Sequence, residues 1–160
     1  MRTPASLGKH PVHPMMVVLP LGLWVFSFLC DLIYVTGAGG PAWQTVALYS
    51  MGGGIVGALI AAIPGLIDLL SIKGRRAKKI GLWHMGLNVT AVLLYSANLL
   101  FRVNETVSYG DSVVLSAVLI LALVVSGWLG AELVYVHRIG VSGPRLEDEG
   151  NGDREDKLAA

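Results

Sequence analysis

The stretch Ile80–Arg102, IGLWHMGLNVTAVLLYSANLLFR, decides the fold. Its apolar run exceeds the about 20 residues that a helix needs to cross a roughly 30 Å hydrocarbon core. Within that run, His84, Asn88, Ala91, Tyr95, Asn98 and Arg102 follow one another at alternating spacings of four and three. On a helix of 3.6 residues per turn, this spacing gathers the polar members onto one stripe. Polar groups face lipid only at high cost, so the stripe must meet protein, a ligand or internal water. The segment therefore reads as a membrane helix with a buried polar seam.

Three further apolar stretches accompany it, Met15–Tyr34, Ala42–Ile72 and Val113–Val136. The chain is 54% hydrophobic and 14% charged, whereas soluble domains carry about 25% charged residues. The runs are too long for barrel strands, which alternate in roughly 10-residue segments. The expected fold is all-α, an integral membrane four-helix bundle, with helices at about 15–35, 43–72, 80–102 and 113–138. These form one transmembrane domain over 15–141, with no internal repeat. A histidine- and proline-containing segment, 1–14, precedes it. The charged, Gly- and Pro-containing tail, 142–160, is expected to be disordered. The first stretch is too long for a secretory signal, holds Asp31 and lacks a small-x-small cleavage site, so it reads as an uncleaved helix. Cys30 is the sole cysteine and has no partner for an intrachain disulfide.

Basic residues set the orientation. Lys73, Arg75, Arg76, Lys78 and Lys79 fill the expected second loop, Arg2 and Lys9 precede the first helix, and Arg138 and Arg145 follow the fourth. The loops Thr36–Pro41 and Arg102–Ser112 supply only Arg102. The positive-inside rule then places both termini in the cytoplasm. The net charge of +1 hides this asymmetry and gives no reason to invoke nucleic acid.

Two prolines in His10-Pro-Val-His-Pro14 predict a stiff, extended turn that presents His10 and His13 at the membrane surface, with Pro14 opening the helix. The second stretch carries Gly53, Gly57, Ala61 and Gly65, a strip of small residues suited to close helix approach. It can serve contacts within the chain or a homo-oligomer. Pro64 predicts a kink there, and Asp68 falls near the same inward face. The first stretch has its own stripe, His13, Val17, Pro20, Trp24, Ser27, Asp31 and Tyr34, which predicts an intramembrane ion pair between Asp31 and Arg102. On the fourth, Ser126, Gly130 and His137 share a face, with Glu132 and Tyr135 beside it.

Alternating topology brings His10, His13, His84 and His137 to one end of the bundle. Heme of the b type, bound without covalent attachment, requires two imidazoles, or one with another ligand, at equal depth on facing helices. His84 and His137 are the first candidates, followed by His13 and His10, with Asn88, Asp68 and Glu132 in support. Arg75, Arg76, Lys78 and Lys79 are placed to hold propionates, although membrane sorting alone accounts for their charge. A non-heme site for zinc or iron would draw on His13, His84, His137, Asp68 and Glu132. A third reading leaves each histidine as an interfacial residue bonded to a carbonyl or water, in a scaffold, sensor or proton- or ion-conducting subunit. No nucleophile–base pair or phosphate loop points to a hydrolase or kinase.

Taken in order, His10-Pro-Val-His-Pro14, Pro20-Leu-Gly-Leu-Trp24 with Asp31, Pro64-Gly-Leu-Ile-Asp68, His84 with Asn88, and Gly127-Trp-Leu-Gly-Ala-Glu-Leu133 form a specific set. The chain thereby resembles, from His10 to about Val141, the bacterial family of predicted four-helix membrane proteins catalogued as domain of unknown function 2231. The resemblance implies a bacterial plasma-membrane protein. Relatives fused to Rieske-type or cytochrome-like modules lean it toward electron transfer. This chain carries no such module, so that role implies a separate redox partner protein or a quinone. The lack of histidines at the other membrane face counts against two stacked hemes.

Overall fold

Four helices are long and apolar enough to cross a bilayer, Val12–Val35, Ala42–Ser71, Arg75–Val103 and Tyr109–Tyr135. They come from a computed structural model that describes residues 3–8 and 10–141. The tail expected to be disordered, 142–160, lies outside the described residues, as do Arg2 and Lys9. Two short strands, β1 (Ser6–Leu7) and β2 (His10–Pro11), pair antiparallel. Then come α1 (Val12–Met16), α2 (Val18–Val35), α3 (Ala42–Ser71), α4 (Arg75–Val103) and α5 (Tyr109–Ala131), the last continuing into a π-helical turn at Glu132–Val136.

The first helix starts earlier than the prolines suggested. Pro14 lies inside α1, where first-turn N–H groups have no helical acceptor, so its missing donor costs little. The break falls at Val17 instead, three residues before Pro20, which has no N–H to offer the preceding turn. By contrast, α3 continues without interruption through Pro64. The basic residues expected in a loop largely belong to α4, which begins at Arg75. Arg, Ala and Lys are good helix formers, and hydropathy marks the membrane boundary rather than the end of the helix. At α5, Ser108 caps the start: its Oγ accepts from Asp111 N–H at 3.1 Å and donates to Asp111 Oδ2 at 2.7 Å.

Helices α2 and α3 pack as one antiparallel pair, and α4 and α5 as another. Between the pairs lies a core of Trp24, Met51, Ala91, Tyr95, Leu119 and Leu123, in which the rings of Trp24 and Tyr95 stack with centroids 4.3 Å apart. Leu19, Leu59, Leu93, Leu121 and Trp128 are exposed on the outer surface, as contact with a lipid bilayer requires. The small-residue strip of α3 is used within the chain. A Cβ at Gly57 would lie 3.3 Å from Pro20, and one at Gly65 would lie 2.7 Å from the His13 ring. Gly53 itself is exposed. Its neighbour Gly54 is buried against Trp24, because a strict four-residue repeat drifts around a 3.6-residue helix. Both ends of the described chain meet: a Cβ at Gly140 would lie 3.3 Å from Pro11. This end carries all four histidines and is called the histidine end below. The opposite end holds Asp31 and Arg102.

Candidate functional site

At the histidine end, α1 and α4 bring His13 and His84 into an edge-to-face contact, with ring centroids 6.3 Å apart and planes at 84°. Each ring is anchored through the same nitrogen. His13 Nδ1 lies 2.8 Å from the Ala61 carbonyl oxygen on α3, and His84 Nδ1 lies 2.8 Å from the Ser126 carbonyl oxygen on α5. A carbonyl only accepts, so both Nδ1 atoms carry hydrogen and donate. In the neutral rings, Nε2 therefore holds the lone pair. Ser126 Oγ, 3.0 Å from His84 Nδ1, shares that hydrogen. Asn88 braces the arrangement, donating to the His84 carbonyl at 2.7 Å and to Ser126 Oγ at 2.6 Å. Its Nδ2 also lies 3.3 Å from His84 Nε2. Glycines make room for both rings. A Cβ at Gly65 would fall 2.7 Å from His13, and one at Gly130 would fall 3.2 Å from His84.

The other candidates lie elsewhere. His10 is exposed on β2, with Nδ1 3.0 Å from the Gly8 carbonyl. His137 follows the π turn, half-buried, and its Nε2 has no partner among the described residues. Eleven residues separate it from Ser126, which places it about 16 Å further along the axis than the residue His84 bonds. His84 itself sits nine residues into α4, about 13 Å from its start, because that helix begins before the apolar run does. Asp68 is buried and accepts from the Ala5 N–H at 3.0 Å, fastening the N-terminal segment over the histidine end. Glu132 opens the π turn beside a surface groove with Trp128, Tyr135 and Val136. Among the described residues, no three of His, Cys, Asp and Glu converge as a metal-binding group.

A second polar cluster occupies the opposite end. Arg102 Nη1 and Nη2 donate to Asp31 Oδ1 and Oδ2 at 2.7 and 2.8 Å, in the bidentate geometry that favours arginine over lysine. The Tyr109 hydroxyl donates to Asp31 Oδ1 at 2.6 Å. Asn98 donates to Ser112 O and Ser116 Oγ at 3.0 and 2.9 Å, and Arg102 Nη2 reaches the same two oxygens at 3.4 and 3.1 Å. These α5 serines escaped sequence reasoning, although their signal was present. Ser112, Ser116, Leu119, Leu123 and Ser126 are all buried and follow the same four–three spacing as the α4 stripe. Between the clusters, Ala91, Leu119 and Leu123 form an apolar belt, so the α4 seam is polar at both ends and lined by apolar side chains between them.

A family model described as "Predicted membrane protein (DUF2231)" matches residues 9–143. The chain belongs to this family. The DUF2231 match takes in all four spanning helices and the candidate site residues from His10 to His137. No curated protein and no solved structure matches the chain.

Proposed function

We propose that this DUF2231 protein holds a redox-active metal centre between His13 and His84, with b-type heme iron foremost, and serves membrane electron transfer. The observation that carries this reading is the matched anchoring of the two imidazoles, each bonded to a backbone carbonyl through Nδ1. Metal-binding histidines characteristically donate their second nitrogen in this way, which fixes tautomer and ring orientation. The spacing supports the same reading. The two rings are immediate neighbours, with centroids 6.3 Å apart. Heme, when bound, supplies one-electron chemistry whose potential its axial ligands set. The chain's own part is to hold the rings: Ala61 and Ser126 by their carbonyls, Asn88 by bracing Ser126, and Gly65 and Gly130 by leaving space. Arg75, Arg76 and Lys79, in the first turns of α4, are available to propionates.

Zinc or iron without a porphyrin is the second reading, favoured by the close seating of both rings against glycine backbone, which suits a compact ligand. The basic start of α4 supports a cytoplasmic histidine end in a bacterial plasma membrane, with a quinone or a separate protein as redox partner. Absorbance spectra of the purified protein, oxidised and reduced, test the proposal together with elemental analysis. A Soret band lost in both His13→Ala and His84→Ala supports heme. A colourless protein carrying zinc or iron that the same variants lose supports the second reading. Protein free of both cofactors after expression with heme and metal supplied rejects the site.

A further inference from the structure

The cluster around Arg102 contains polar atoms that its own hydrogen bonds leave unserved. Tyr95 and Asn98 have no exposed surface, Ser112 is 2% exposed, and the Arg102 side chain is 3% exposed. Yet Tyr95 Oη, Asn98 Oδ1, Arg102 Nε and Ser112 Oγ have no hydrogen-bond partner among the described residues. Three of the four are confined to one small volume. Asn98 Nδ2 and Arg102 Nη2 both bond Ser112 O and Ser116 Oγ, so Oδ1, Nε and Ser112 Oγ all lie close to that pair of oxygens. Tyr95 stands one turn along the same face of α4 from Asn98. Among the described residues, His137 Nε2 is the one other buried side-chain nitrogen or oxygen left unpaired, whereas native interiors pair nearly all such groups.

The chemistry of these atoms narrows what completes the cluster. Asn98 Oδ1 needs a donor, Arg102 Nε–H needs an acceptor, and the two hydroxyls can take either role. A charged ligand is disfavoured, because Asp31 already neutralises Arg102 through two hydrogen bonds. The ligand must be small, neutral, and both donor and acceptor. We propose that this cluster is an enclosed hydration site, holding one or two ordered water molecules, each making about three hydrogen bonds, that link Asn98, Arg102, Ser112 and Tyr95. The apolar belt of Ala91, Leu119 and Leu123 closes the site toward the histidine end, while Tyr109, half-buried and bonded to Asp31, connects it to the opposite surface.

Tyr95→Phe and Ser112→Ala test this in the full-length protein reconstituted in lipid. Each variant deletes one hydroxyl and little else. If water serves those hydroxyls, both variants lower the unfolding midpoint in denaturing detergent. If the site is dry, each deletion removes an unsatisfied group, and the midpoint stays or rises. That second outcome overturns the proposal. Independently, magnetic resonance of the wild-type protein in nanodiscs should show water cross-peaks to Arg102 Nε–H and the Asn98 amide. Absence of both cross-peaks overturns the proposal whatever the variants do.

Discussion

Loss of the Asp31–Arg102 pair should be the most damaging polar change in the protein. The two side chains meet through parallel bonds of 2.7 and 2.8 Å, their exposures are 0% and 3%, and Tyr109 adds a third bond of 2.6 Å to the carboxylate. Arg102→Leu strands a carboxylate among helices, and Asp31→Leu strands a guanidinium. Removing one member of a buried pair typically costs about 3–5 kcal/mol, because the remaining charge is left desolvated. At about 1.4 kcal/mol per decade, that is a change of about 140- to 3,700-fold in the unfolding constant. The double variant Asp31→Leu/Arg102→Leu removes both charges and should recover part of the loss, since well-packed apolar replacements of buried pairs are often neutral. Reversible unfolding in mixed micelles, followed by far-UV circular dichroism, reads all four corners of the cycle. The reasoning fails if the two single losses simply add in the double variant. It also fails if each is below about 1 kcal/mol, the range of an exposed surface pair.

Further outcomes are expected at the histidine end. Gly65→Ala drives a Cβ to 2.7 Å from the His13 ring and should break its bond to Ala61, lowering cofactor occupancy in the purified protein. Gly86→Ala meets nothing within 4 Å and should be neutral, or stabilising by up to about 1 kcal/mol in the same unfolding assay. Asn88→Ala withdraws the brace from Ser126 and the His84 ring. A 10- to 100-fold loss of metal or heme affinity, with the helical spectrum unchanged, is expected from titration of the apoprotein. Asp68→Ala removes the acceptor for the Ala5 N–H, which should speed hydrogen exchange at Ala5 while amides in the core of α4 keep their protection.

The spans were legible because an apolar run of bilayer length has few alternative meanings. So was the ion pair, since an intramembrane aspartate and arginine at matching depth need each other. The inward face of α4 followed from spacing alone. What sequence could not supply was depth. Hydropathy put the start of α4 at Ile80, five residues late, which left His84 level with His137. The helix begins at Arg75, His84 is carried into the bundle, and His13 becomes its neighbour. The same error hid the role of Ser126, whose carbonyl fixes His84. Proline misled in a comparable way. Pro11 and Pro14 suggested an extended turn that ends where Pro14 opens the helix, but α1 already starts at Val12 and Pro14 disturbs nothing in its first turn, whereas Pro20 sits beside the real break.

The separation of 71 positions between Asp31 and Arg102 bears on how the protein is made. During synthesis the aspartate reaches the membrane well before its arginine leaves the ribosome, and Tyr109 follows later still. The α2–α3 hairpin must therefore enter lipid with an acid lacking its counter-charge, a burden of up to about 2.5–3.5 kcal/mol on insertion scales. Retention of that hairpin beside the insertion machinery until α4 arrives relieves this burden. The arginine of α4 is thus the clasp that joins the α2–α3 pair to the α4–α5 pair.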